Sequence, residues 1–142
     1  MSTRSWIFNQ EEGACRGIYC HHDGYPSYVG AVLQAHYNKA NIRELLGLGD
    51  ISSLDETIDK CVAYHRDRGE DFQPNMVFDN PAEILEKALQ SDAEYIYYLD
   101  GNGTWYVVDL YGDPKHEFKD LKGVLEGNNL GSLSRLPLKS DL

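Results

Sequence analysis

At 142 residues, 42% of them hydrophobic and 25% charged, the chain is long enough to bury the core of one domain and too short for two comfortable ones. Its formal net charge of −10 argues against generic nucleic-acid binding, because a phosphate backbone would repel it and no basic stripe exists to release counterions. No apolar run approaches the roughly 20 residues that span a bilayer, and Trp6-Ile7-Phe8 is too short an apolar core for a signal peptide. No membrane association and a cytoplasmic location are expected. Cys15, Cys20 and Cys61 are an odd number in a chain that folds without staples, so reduced thiols are the default.

In chain order, Trp6-Ile7-Phe8 and Cys15 to Cys20 read as two strands, joined through Asn9 to Gly13 by a loop longer than the tightest hairpins use. Asp23-Gly24-Tyr25-Pro26 is turn chemistry that ends the second strand. Val29, Val32, Leu33, His36 and Tyr37 fall at helical spacing, with Ser27 or a neighbour as the cap. Ile42, Leu45 and Leu46 predict a short second helix stopped by Gly47 and Gly49. Leu54, Ile58, Cys61, Val62 and His65 predict a third helix with one apolar stripe. In Asn80-Pro81-Ala82-Glu83, Asn80 suits the cap, Pro81 the first helical position and Glu83 the reach back, ahead of Ile84, Leu85, Ala88 and Leu89. The strongest signal is the hairpin of Tyr95 to Leu99 and Thr104 to Tyr111 about Asp100-Gly101-Asn102-Gly103. These elements predict an α+β fold in which two β-hairpins form one antiparallel sheet with helices packed on one face. Residues 1–122 are expected to make the domain and 123–142 a mostly irregular tail.

Two polar clusters are candidates for chemistry. The first contains His21, Asp23 and Tyr25, and the second His65, Arg66, Asp67, Arg68 and Glu70. The two segments are expected to meet at one rim, with Arg66 or Arg68 able to pair with Asp23. A catalytic reading takes His21 or His65 as general base, Asp23 or Asp67 as orienter and Cys20 as nucleophile. No G-x-S-x-G elbow, H-E-x-x-H pair or phosphate loop accompanies them, so no catalytic residue is assigned. Cys20, His22, Cys61 and His65 have spacings that permit a zinc site, but Cys61 and His65 have good core explanations, so no metal and no cofactor are expected. Between Asp67 and Asp113 there are 11 acidic residues and two basic ones, a net of −9. That concentration suggests a surface for a basic partner, with carboxylates Glu83, Glu86, Asp92 and Glu94 beside the rings of Tyr97 and Trp105.

Four segments together carry a resemblance: Ser2-Thr3-Arg4-Ser5; Ile18-Tyr19-Cys20-His21 with Asp23-Gly24-Tyr25-Pro26; Gly47 to Leu54; and Tyr64 to Asp71. In these the chain resembles a group of small proteins carried by bacteriophages, prophages and plasmids, in which Trp often stands where this chain has His22. The likeness runs from Ser2 to about Tyr111 and implies a mobile-element setting, hence the cytoplasm of a bacterial host. Setting and charge together suggest an acidic interaction protein that antagonises a host defence or nucleic-acid-handling complex, of the anti-CRISPR or anti-restriction type. Its partner would be a host protein or protein–nucleic acid complex with a basic surface, with no direct nucleic-acid binding. The alternative is a small enzyme or nucleotide-binding protein whose site joins the Cys20–Tyr25 and His65–Glu70 segments.

Overall fold

A computed structural model of the chain describes residues 2–73 and 75–129. Strands β1 (Ser5–Glu11) and β2 (Ala14–Cys20) form the first hairpin. Its turn is tighter than the sequence suggested. Glu11 pairs with Ala14, and Glu12 and Gly13 both have positive φ, 37° and 80°, the backbone of a two-residue turn whose twist matches the strands.

A π-helical turn, Pro26–Gly30, runs into α1 (Ala31–His36). No side chain caps its start, so Ser27 does not serve as predicted. Helix α2 spans Ile42–Leu46, and strand β3 (Ile51–Ser53), a 3-10 turn (Ile58–Lys60), strand β4 (Val62–Ala63) and α3 (Tyr64–Arg68) follow. Beyond them lie β5 (Met76–Phe78), α4 (Pro81–Leu89), the hairpin β6 (Tyr95–Leu99) with β7 (Trp105–Asp109), β8 (Lys119–Asp120) and α5 (Leu121–Asn129). Residues 123–129, predicted to be irregular, are therefore helical; the rest of the predicted tail lies outside the described residues.

Both hairpins do join one sheet, of eight strands in the order β4-β3-β2-β1-β6-β7-β8, with β5 also paired to β2. The sheet is mixed rather than antiparallel, because β1 runs parallel to β6 and β2 runs parallel to β3. The helices cover both faces, not one. Successive residues of β1 and β6 point to opposite faces. Ile7, Tyr97 and Leu99 enter a core with Val29 and Leu33 near and in α1, Leu45 of α2 and Leu121 of α5. Trp6, Phe8, Ile96 and Tyr98 enter a second core under Ile84 and Ala88 of α4. Strands apolar in both phases need cover on both sides.

The predicted third helix is absent. The outer edge of β2 needs a partner at Cys20, which Ile51 provides, and Ile51 and Ser53 in turn pair with Ala63 and Val62. Leu54 and Cys61 are still buried, as their spacing implied, but on an extended chain folded back on itself. Asp55 N donates to Cys61 Sγ at 3.3 Å and Tyr37 Oη donates to the Asp55 carbonyl at 2.8 Å, bonds that hold this return in place. The α4 cap follows its sequence signature: Glu83 N donates to Asn80 Oδ1 at 3.2 Å, and the Glu83 carboxylate reaches back to Asp79 N at 2.7 Å.

Candidate functional site

Among the described residues no helix is long and apolar enough to cross a membrane, and no group of three or more His, Cys, Asp or Glu side chains is arranged to hold a metal ion. Cys20 and His22 do not present ligands together, since the Cys20 thiol donates to the His22 carbonyl at 3.5 Å from inside the core. Burial pushes that thiol up to about 12, which removes it as a nucleophile.

The two polar segments meet only in part. Strand β2 carries His21 past its end, where His21 N donates to the Ile51 carbonyl at 3.1 Å and His22 N to the Ser52 carbonyl at 3.0 Å, extending the pairing with β3. Helix α3 starts where β4 ends and brings Tyr64 over this junction. The Tyr64 hydroxyl lies 2.8 Å from His21 Nδ1. The His21 and His22 rings stack at 4.4 Å with 20° between planes, and Ser2 Oγ lies 2.6 Å from His22 Nδ1. Arg68, one helical turn beyond Tyr64, sets its guanidinium 5.2 Å from the Tyr64 ring centroid and donates to Ser52 Oγ at 3.3 Å. Burial, His22, Arg4 and Arg68 together lower the His21 pKa. Tyr64, Ser52 and Arg4 belong to this cluster although composition and spacing did not single them out; Tyr64 precedes the predicted His65 by one residue on the first turn of α3.

The other predicted members go elsewhere. His65 turns away, with Nδ1 at 2.8 Å from the Glu70 carbonyl and its ring edge-on to Phe72. Glu70 takes part through that carbonyl. Arg66 and Asp67 form a forked pair at 2.9 and 2.8 Å, and Arg66 also donates to the Ile58 and Cys61 carbonyls. Asp67 accepts from Ala63 N at 2.7 Å, and Arg66 followed by that amide holds its carboxyl below the usual range. This pair braces the β4–α3 corner rather than serving a reaction. Asp23 takes a left-handed backbone, φ 59°, and contributes its carbonyl to Val29 N; among the described residues it pairs with neither Arg66 nor Arg68. Tyr25 is exposed at the start of the π turn.

On the acidic side, Glu86 and Asp92 are exposed, while Glu94 is half-buried and Glu83 is spent on the α4 cap. Tyr97 and Trp105 are not surface anchors. Both are buried in the first core, with Tyr97 Oη donating to the Gly24 carbonyl at 2.6 Å and Trp105 Nε1 to the Tyr37 carbonyl at 3.0 Å. The alternation that places rings on one face of β6 and β7 is real, but α1 and α5 cover that face.

Asp50 anchors the polar cluster from beneath. Its carboxylate accepts from Tyr19 N at 3.0 Å and its carbonyl from Tyr64 N at 3.3 Å, linking β2 to the start of α3. Burial raises its pKa against the opposing pull of the Tyr19 amide. A folded pKa above the unfolded value of about 3.9 means that ionisation weakens the fold. The contribution is most favourable below the unfolded pKa and falls as pH rises through the folded one. Asp50→Asn keeps the acceptor and removes the charge, so its melting temperature should exceed that of the parent near neutral pH. The gain should shrink as the parent carboxyl protonates in acid. A variant less stable than the parent near neutrality would show that the charge itself is needed.

No protein-family model, no curated protein and no solved structure matches the chain.

Proposed function

We propose that this α+β protein acts by protein–protein binding, antagonising a bacterial defence or nucleic-acid-handling complex through its acidic face. The observation that carries this reading is the surface at the C-terminal end of α4. Asp92 is 84% exposed in its side chain, Glu86 is exposed on α4 itself, and Tyr111, 69% exposed, donates its hydroxyl to the Asp92 carbonyl at 3.4 Å. Leu89, 51% exposed, adds apolar area to the same helix end. Carboxylates around an exposed ring suit a partner with a basic surface: the ring supplies affinity once desolvated, and the charges orient and accelerate encounter. Tyr111 and Leu89 thus take the anchoring role that the sequence assigned to Tyr97 and Trp105. The resemblance to proteins of mobile elements supports the defence setting, and burial of the Cys20 thiol removes the nucleophile that the sequence offered for the alternative reading.

The test is phage plating on hosts that carry a defined CRISPR effector or restriction enzyme. Wild-type protein should raise plating efficiency on at least one such host, and reversal of Glu86, Asp92 and Glu94 to lysine, together with Tyr111→Ala, should abolish the effect in a variant that still folds. Binding to that host's complex should slow as salt screens the carboxylates. No rise in plating with the wild-type protein on either class of host would overturn the reading.

A further inference from the structure

We propose a second binding site, over the end of β2 with β3 and α3, that takes the phosphoryl dianion of a small molecule between the imidazoles of His21 and His22 and the guanidinium of Arg68. The proposal does not rest on the acidic-face reading. Its first support is its position. Helix α4 and the second core cover the β1, β6 and β7 part of this sheet face, but no residue of β3 or β4 belongs to that core. Tyr19 marks the boundary: it packs against the core edge-on to Trp6, and the next residue on the same face, His21, lies beyond cover.

The second support is charge. In a chain of net charge −10, the neighbours that act electrostatically on His21 are His22, Arg4 and Arg68, all basic. Three of the nearby carboxylates are otherwise engaged, and Asp23, which follows His22, is exposed to solvent. Asp50 lies partly buried under the Tyr19 amide, Asp67 is forked onto Arg66, and Asp92 approaches Arg4 at 3.8 Å while itself open to solvent. Among the described residues Arg68 makes no ion pair. An arginine without a carboxylate, beside two imidazoles, is an excess of positive potential that an anion would relieve.

The third support is preorganisation. Each imidazole is fixed through Nδ1 by a hydroxyl, Tyr64 for His21 and Ser2 for His22. In the tautomer where the hydroxyl donates to Nδ1, the ring proton sits on Nε2 and the neutral ring presents an N–H donor on its far side; a protonated ring presents one there in any case. Arg68 is held by the Tyr64 ring and Ser52 Oγ, which uses one of its five donors and leaves the others for an oxyanion. Donors from two stacked rings and a planar fork suit a tetrahedral group with several oxygens. A dianion draws more from three basic groups than a carboxylate would. The same patch is too small, and the surrounding protein too acidic, to hold a polyanion such as DNA.

The experiment follows the histidine ring signals of the full-length protein by NMR, at low ionic strength and slightly alkaline pH, where phosphate and its monoesters are dianions. Inorganic phosphate, AMP, adenosine and a short single-stranded DNA are the probes, and chloride is the control. Phosphate and AMP should move the His21 and His22 signals saturably, with millimolar or tighter affinity, and should raise the apparent pKa of both rings. The His36, His65 and His116 signals should stay in place. Arg68→Gln should weaken binding by about tenfold or more, and Arg43→Gln, on the far side of the molecule, should not. Tighter binding of AMP than of inorganic phosphate identifies a phosphate monoester as the source, and equal binding identifies phosphate itself. Should Arg68→Gln misfold, His22→Gln provides the same comparison. Shifts no larger than those with chloride, binding of adenosine as strong as that of AMP, retained affinity in a folded Arg68→Gln protein, or tighter binding of DNA than of AMP would each overturn the proposal.

Discussion

Trp105→Ala is expected to cost about 3–5 kcal/mol of unfolding free energy, the range for removing a buried aromatic side chain from a core that relaxes only in part. Trp105 is 3% exposed and packs with Tyr37, Leu99 and Val107 in the core beneath α1 and α5. The loss has a second component. The indole Nε1 donates to the Tyr37 carbonyl at 3.0 Å, at the residue that ends α1, and Tyr37 in turn holds the Asp55 carbonyl through its hydroxyl. Truncation leaves a buried carbonyl without its donor and loosens the return from β3 to β4. For a domain with a total stability of about 5–15 kcal/mol, this is a large fraction of what holds it folded. Trp105→Phe keeps most of the volume and removes the donor, so its smaller cost separates packing from the hydrogen bond. Denaturant unfolding of both variants measures the two parts. An alanine variant as stable as the parent would return Trp105 to the surface and restore it as a candidate anchor for a partner.

That result bears on how the sequence is to be read. The hairpin from Tyr95 to Asp109 and the cap of α4 were legible because their signals are local: Asp100 to Gly103 can only turn, and Asn80-Pro81 can only start a helix. The fate of the rings on that hairpin was not local. Alternation says that Tyr97 and Leu99 share a face, but not whether that face meets water or α1. The clue lay in the other phase. Ile96 and Tyr98 are as apolar as Tyr97 and Leu99, and a strand apolar in both phases is a buried strand. The same reading of Trp6-Ile7-Phe8 implies helices on both faces of the sheet.

The stretch from Leu54 to His65 failed for a different reason. Its apolar spacing fits a helix, yet the unpaired edge of β2 at Cys20 favours a strand at Ile51, and Thr57, Ile58 and Val62 are β-branched residues that give up little by leaving a helix. Tertiary demand outweighed periodicity. That rearrangement determines the site. On one continuous helix Cys61 and His65 would share a face, whereas the observed corner sends Cys61 into the core, His65 toward Phe72, and Tyr64 with Arg68 across to His21. Proximity of the two polar segments could be anticipated from the chain path; which members meet could not.

Gly17→Ala is expected to destabilise the protein by about 1–3 kcal/mol, the usual cost of adding a methyl where a packed interior has no room. Open space would give the opposite sign. A glycine inside a strand ordinarily weakens it, and alanine would recover some of the roughly 0.5–1 kcal/mol that glycine's backbone freedom costs. At Gly17 there is no open space. It sits opposite Phe8 in the β1–β2 ladder and opposite Met76 on β5, so both edges of the strand are occupied. A Cβ there would run into the Phe8 ring and come within 2.7 Å of the Ile7 carbonyl oxygen. The ring cannot swing aside, because Phe8 is wholly buried with Trp6 and Phe78 each 5.9 Å away, and the carbonyl belongs to the central strand. The aromatic ring covers the glycine, so the pair should behave as a unit. In a double-mutant cycle, Phe8→Leu should relieve part of the Gly17→Ala cost, leaving a coupling energy above the few tenths of a kcal/mol seen for independent sites. Urea unfolding of the two single variants and the double variant provides the measurement. Additive costs would mean that the backbone of β1, and not the Phe8 ring, is what excludes a side chain at this position.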